Sequence, residues 1–275
     1  MILDASCQLD YSTHEDVPAV FMLRPRSGWA QWIIREEFQI RPQVPVVEFT
    51  DVYGNLCQRV VMPRGEFHLS VQIRAEVSDF VEEDPHAGLT LVENLPPELL
   101  HYLLPSRYCQ SDQLSDLAAM IVGHLPNSFE RVSAIRSWIH QNVIQSPGSS
   151  DSSTSAVDTA STRLGVCRDF AHLGIALCRA INVPSRMVVG FLHQLDPMDL
   201  HAWFEVYIEG RWFTFDATER VTRGNRIVVA YGRDAADVAL ATLFGAETKE
   251  VAWFTFPTLR RSGGQGGAFG PLERR

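Results

Sequence analysis

The sequence predicts an α+β protein, and three observations point that way. The first third of the chain is a series of short β-branched and aromatic runs separated by turn residues. Near the middle lies a helix that is apolar on almost every side and opens on a cysteine. Beyond it, two strand-like runs flank Glu209-Gly210, a pair suited to a tight hairpin turn.

In chain order, residues 1 to about 82 read as β structure, with strands expected at 20–23, 29–40, 44–49, 58–62 and 66–77. Arg26-Ser27-Gly28, Tyr53-Gly54-Asn55 and Pro63-Arg64-Gly65 supply the turns, which suggests a small sandwich. Residues 81–109, with Pro85, Pro96, Pro97 and Pro105, read as a connector. One-sided helical periodicity covers 112–125 through Leu114, Leu117, Ala118, Ile121 and Val122. Asn127 with Glu130 suggests a capping box for the next helix, which runs to about Val143. The serine-rich stretch 147–155 lies between helices of one domain and is expected to be an ordered loop over the active site. The cysteine helix spans 167–181 and ends at Asn182-Val183-Pro184. Strands follow at 186–192, 202–208, 211–215 and 227–231, a short helix within 234–246, a last strand at 251–256, and a flexible tail containing 263–267. The expected organisation is a β-rich N-terminal domain with its connector (1–105), a catalytic domain (106–260) and a tail (261–275).

The hairpin has a register that can be derived. With Glu209-Gly210 as a two-residue turn, Ile208 faces Arg211, Val206 faces Phe213 and Phe204 faces Phe215. One face then carries Ala202, Phe204, Val206, Ile208, Phe213 and Phe215, and a slip of one residue would mix the faces. The other face carries His201, Trp203, Glu205, Tyr207, Trp212, Thr214 and Asp216. There Asp216 lies diagonal to His201, roughly 7–8 Å away along the backbone and within side-chain reach. This pattern does not place Cys167 beside them.

Cys167 follows Gly165-Val166 at the start of the buried helix. Unpaired N–H groups and the helix dipole favour a thiolate there and suit a developing oxyanion. Gly165 is expected to permit a tight backbone turn before the cysteine. His201 is the candidate base and Asp216 the group that fixes its tautomer. Each has an ordinary alternative: a small core cysteine, as assigned to Cys178, a strand-end histidine, and a turn aspartate. The three types in this order and setting tip the reading toward nucleophilic catalysis.

Gly165-Val166-Cys167-Arg168-Asp169-Phe170-Ala171-His172, Ala180-Ile181-Asn182-Val183-Pro184-Ser185-Arg186, His201-Ala202-Trp203-Phe204-Glu205-Val206 and Trp212-Phe213-Thr214-Phe215-Asp216-Ala217-Thr218 resemble the bacterial transglutaminase-like superfamily. The resemblance covers roughly residues 105 to 235, and Gly232-Arg233-Asp234-Ala235-Ala236-Asp237-Val238 is similar to the segment that often closes such domains. It implies a papain-like α+β fold with the cysteine helix packed on an antiparallel sheet, preceded by a β-rich region. It also implies Cys167 as nucleophile, His201 as base and Asp216 as orienting acid, in the branch labelled as cysteine proteases. The family usually adds an oxyanion donor from a side chain upstream of the cysteine. Trp138, Asn142 and Gln145 are the candidates here, with the Cys167 N–H as the donor common to all choices.

Other groups receive structural readings. His193 sits in a loop and is expected at the surface. His172 with Asp169 is read as a bracing pair one helical turn apart, with orientation of the loop after Asp151 as an alternative for Asp169. Trp203, Trp212 and Tyr207 either line a cleft or belong to the core, with at least one expected in the core. A zinc site from Cys167, Cys178, His193 and His201 lacks metal-binding spacing, and no calcium loop or other cofactor motif is present.

Hydrophobic residues at 45% and charged residues at 21% are ordinary for a globular protein. A net charge of −9 argues against a nucleic-acid surface, and no apolar run is long enough to span a bilayer. Five irregularly spaced cysteines and a start without a signal-peptide pattern lead to the expectation of a cytoplasmic protein. The expected activity is hydrolysis of a peptide, isopeptide or other amide bond. The alternatives are acyl transfer to an amine and a non-catalytic interaction module. The expected partner is a peptide or protein substrate; oligomeric state is not legible.

Overall fold

The computed structural model describes residues 1–28, 31–88, 90–126, 128–196, 198–245 and the backbone of 258–261. Its N-terminal part is a sandwich of two four-stranded sheets. The strands are β1 (Ile2–Thr13), β2 (Val17–Arg24), β3 (Gln31–Arg41), β4 (Val47–Thr50), β5 (Leu56–Met62) and β6 (Gly65–Val77). Two more, β13 (Ala241–Leu243) and β14 (Thr258–Arg261), come from late in the chain, beyond β12 (Arg226–Gly232). The sheet orders are β14-β1-β6-β3 and β13-β2-β5-β4. Strand β1 alternates along most of its length, with Leu3, Ala5, Cys7, Leu9 and Tyr11 buried beside Phe67, Leu69, Val71, Ile73 and Ala75 of β6, and Ser6 buried on the other face. Phe21 of β2 stacks on Phe67 of the opposite sheet at 6.1 Å, which fixes how the two layers meet.

The connector carries short 3₁₀ turns at Val92–Asn94 and Pro97–Tyr102, and a third follows at Ser111–Gln113. The second part of the chain contains α1 (Ser115–Val122), α2 (Ser128–Asn142), β7 (Ile144–Gln145), α3 (Ala156–Thr162), β8 (Leu164–Gly165) and α4 (Cys167–Ala180). Its sheet is built from β9 (Ser185–Leu192), β10 (Leu200–Ile208), β11 (Arg211–Phe215) and β12 (Arg226–Gly232), in the order β11-β10-β9-β12. The hairpin register is the derived one: Phe204 pairs with Phe215, Val206 with Phe213 and Ile208 with Arg211. Glu209 and Gly210 both take positive φ (46° and 86°), as a two-residue turn requires. The apolar face of this sheet packs on α4. Gly174 of α4 lies so close to Phe204 that a Cβ there would sit 2.5 Å from the ring. At the far end of α4, the buried Arg179 donates to the carbonyls of Leu104, Ser185 and Arg233, joining connector, helix and sheet.

Three expectations need adjustment. Residues 234–245 hold no helix. Asp234 Oδ1 accepts from the Ala236 N–H and Asp237 Oδ2 from the Arg233 N–H, which closes a turn, and the chain then pairs with β2. Helix α3 emerges directly from the serine-rich loop. Its Ser155 and Asp158 form the reciprocal cap that starts it. Strand β1 belongs to the region read as β but was not among the runs singled out. The expected last strand at 251–256, the tail at 263–267 and the Asn127 cap lie outside the described residues.

Two side-chain amides join the sandwich to the β11-β10-β9-β12 sheet. Gln31 donates to the Val228 carbonyl (2.8 Å) and accepts from the Val228 N–H (2.7 Å). Asn55 does the same at Tyr231, at 2.7 and 2.8 Å. Each amide imitates a neighbouring strand and satisfies the open edge of β12. Gln31→Leu leaves the Val228 pair without partners. We expect it to lower unfolding stability by about 1–3 kcal/mol in urea titrations, whereas Gln39→Leu on exposed β3 should stay within about 0.5 kcal/mol.

Candidate active site

The N-terminus of α4 is shaped by its sequence. Val166 is extended and caps the helix, and its N–H donates to Asp169 Oδ2 at 2.8 Å. A Cβ on Gly165 would sit 2.7 Å from the Asp169 Cβ. Gly165 is therefore needed to make room for this carboxylate; it does not adopt a left-handed backbone. The fully buried Asp169 thus braces the turn that presents Cys167, and the expected pairing with His172 does not form. His172 Nε2 instead accepts from the Ala235 N–H at 3.1 Å, and its ring stacks on Tyr108 at 5.0 Å. Burial pushes its pKa down to about 3, so it is a neutral structural histidine. The serine-rich loop is ordered. Asp151 accepts from the Ser153 N–H at 2.7 Å, and Arg168, next to the nucleophile, donates to the Asp151 carbonyl at 2.6 Å.

Cys167 is half-buried, whereas Cys7, Cys57, Cys109 and Cys178 are buried; all five are unpaired. Burial pushes those four thiols up, Cys57 to about 11 and the others to about 12. Across from α4, His201 sits 3% exposed at the start of β10. Its Nε2–H donates to Asp216 Oδ2 at 2.7 Å, so the diagonal contact derived for the hairpin is made. The Cys167 thiol is the other side chain that bears on the ring's ionisation. With Nε2 engaged by the carboxylate, Nδ1 is the nitrogen left for another partner. Burial alone would pull the His201 pKa down. The bond to and charge of Asp216, with a further contribution from Cys167, outweigh burial and raise it to about 9.

Asp216 is wholly buried and well supplied with donors. Besides His201, Oδ2 accepts from Arg226 Nη2 at 2.8 Å, and Oδ1 accepts from the Thr218 hydroxyl at 2.6 Å and the Thr218 N–H at 3.1 Å. Burial works against ionisation here, but these partners, His201 foremost, hold the carboxyl below its usual range. Helix α2 steadies the following loop. Arg136 donates to the Arg220 carbonyl at 2.6 Å and His140 to that of Ala217 at 3.2 Å.

Of the three tryptophan and tyrosine candidates on this face, Trp203 is core. It is 1% exposed, packs with Val188 and Val228, and lies nearly parallel to His201 at 6.1 Å. Trp212 flanks the Arg186 guanidinium at 4.0 Å, and Tyr207 packs against Trp212. His193 is half-buried, with its Nδ1 shielded, because Arg223 ties its carbonyl to the loop after Asp216. Among the upstream candidates, Trp138 lies under the Arg163 guanidinium at 4.3 Å, and Asn142 donates to the Trp138 carbonyl of its own helix. Gln145 is exposed on β7, in register with Gly165 of β8, the strand that leads into Cys167. Among the described residues, no group of three or more His, Cys, Asp or Glu is placed to hold a metal ion. No helix of the described residues is long and apolar enough to cross a membrane.

Residues 115–217 match the transglutaminase-like superfamily core, and residues 11–78 match the bacterial transglutaminase-like N-terminal region. The crystal structure of a "Putative Cysteine Protease" from Cytophaga hutchinsonii is 34% identical, covers 94% of this chain and 90% of that one, and superposes with a TM-score of 0.82. An uncharacterised protein of Mycobacterium leprae is 24% identical over 230 residues, 79% of this chain and 82% of that protein. An uncharacterised Mycobacterium tuberculosis protein is 34% identical over 119 residues, 38% of each chain. The chain belongs to the transglutaminase-like superfamily, in the form that carries the bacterial N-terminal region.

The accessibility difference among the thiols has a direct readout. With limiting iodoacetamide at pH 7.5, we expect peptide mapping to find Cys167 alkylated at least about tenfold faster than each of the other four cysteines. Comparable labelling of Cys109 or Cys178 in the folded protein would contradict this packing.

Proposed function

We propose that this protein is a cysteine hydrolase acting on a peptide, isopeptide or other amide bond. One observation carries the reading: a buried imidazole is hydrogen-bonded to a buried carboxylate, and the thiol that opens α4 adds to the rise in its pKa. In the proposed reaction the Cys167 thiolate attacks the carbonyl carbon, and the S–C bond forms as charge develops on oxygen. The Cys167 N–H at the helix N-terminus, with Gln145 as the side-chain candidate, is suited to that oxygen. His201 then delivers its Nδ1 proton to the leaving nitrogen, the C–N bond breaks, and a thioester remains. Water attacks the thioester, His201 takes up a proton from it, and the S–C bond breaks to release the acid and restore the thiolate beside the imidazolium. Asp216 holds the ring and its charge throughout.

Acyl transfer shares the first half of this cycle and differs only in the nucleophile that resolves the thioester. Five unpaired cysteines support the cytoplasm as the proposed location.

A peptide-library screen supplies the substrate for the test. Cys167→Ala should lower kcat/KM at least about a thousandfold with the fold intact, and a peptide aldehyde should inhibit the wild type but not bind the variant. A labelled primary amine should leave the product a free acid. Amine incorporation would replace hydrolysis with transfer, and turnover that survives Cys167→Ala would refute the assignment.

A further inference from the structure

We propose that Arg226 is a positioning residue whose fixed charge allows His201 to give up its proton, a role that rests on the triad reading above. Asp216 Oδ2 accepts from two cationic side chains at once, His201 Nε2 at 2.7 Å and Arg226 Nη2 at 2.8 Å. The guanidinium has little freedom. It is 8% exposed, its Nε donates to the Arg223 carbonyl at 2.8 Å, and its Cζ lies 4.7 Å from the centre of the Trp203 ring. That indole also stacks beside His201, so one buried aromatic ring braces both partners of the carboxylate.

The charges explain why a second cation is useful. Asp216 has no solvent exposure. If His201 were its sole charged partner, proton delivery to the leaving nitrogen would strand a buried carboxylate, which is strongly unfavourable. The imidazolium would then be too stable to act as an acid. With Arg226 on the same oxygen, Asp216 remains paired after His201 becomes neutral. Other charged groups face this pair from neighbouring elements without touching the carboxylate. Cys167 of α4 contributes to the charge balance of the ring. Arg136 of α2 donates to the Glu219 and Arg220 carbonyls, and Arg223 is ion-paired with Glu219. Arg226 is therefore the direct counter-charge that does not change as the proton moves.

The test uses the full chain with Arg226→Gln, which keeps a donor and removes the charge, and Arg226→Lys, which keeps the charge. Two probes share one acyl group: a p-nitroanilide of a peptide found in the screen, whose leaving group needs the proton, and the p-nitrophenyl ester of the same peptide, whose leaving group does not. For Arg226→Gln we expect kcat/KM on the anilide to fall at least roughly tenfold more than on the ester, and its basic pH limb to move up by about one unit. Arg226→Lys should recover most of the difference. If Arg226→Gln does not fold, the comparison rests on Arg226→Lys. Lysine cannot reproduce the guanidinium's second contact, to the Arg223 carbonyl, so it should show a smaller loss of the same sign, greater on the anilide. Equal losses on both probes with an unmoved pH limb would reduce Arg226 to a structural part and leave the triad reading standing. Turnover indifferent to Cys167→Ala would remove the triad reading, and this inference with it.

Discussion

The C-terminal half of the molecule is organised around one buried negative charge. Removing a carboxylate from water costs several kcal/mol unless its lone pairs are occupied. At Asp216 four donors occupy them, from His201, Arg226 and both polar groups of Thr218. These come from β10, β12 and the turn after β11, so satisfying the carboxylate fixes how three strands end relative to one another. It also selects the histidine tautomer. Nε2 must carry the proton toward Asp216, and Nδ1 is left for the sulfur.

Cys167 is positioned by a separate route. Helix α4 is set on the sheet by a close contact at Gly174, and its first turn is braced from within by Asp169, for which Gly165 leaves space. The N-terminal sandwich contributes at a distance. Gln31 satisfies Val228, two residues beyond Arg226 on β12, and Asn55 satisfies Tyr231. The strand that supplies the counter-charge to Asp216 is thus held on its outer edge by a different domain. Strands β13 and β14 return to that domain and add to each of its sheets, so the two halves are linked at both ends of the chain.

Much of this was legible in the sequence where local periodicity controls the outcome. The hairpin register follows from a two-residue turn and an apolar face that only one register keeps intact, and the His201–Asp216 contact follows from that register. The approach of Cys167 does not, because it depends on how a helix crosses a sheet; only the family motifs pointed to it. Arg226 was missed because an arginine before an apolar strand is indistinguishable from an ordinary solvated flank. Gln31 and Asn55 were missed because an amide that completes a distant strand has no local signature. Helix α3 did have one, the Ser155-x-x-Asp158 cap, hidden at the end of a serine run whose composition reads as loop. The helix expected near residue 234 failed for the opposite reason, since aspartates at 234 and 237 capture nearby N–H groups and turn the chain.

The most direct test of the central claim is the ionisation of the His201 ring, followed by NMR in protein labelled with ¹⁵N-histidine and assigned through His201→Asn. The buried pairing with Asp216 and Cys167 predicts an imidazolium that persists through neutral pH and titrates near 9, with the titration moving down in Asp216→Asn. A ring that titrates near the unperturbed value of about 6.5, indifferent to the loss of Asp216, would contradict the account.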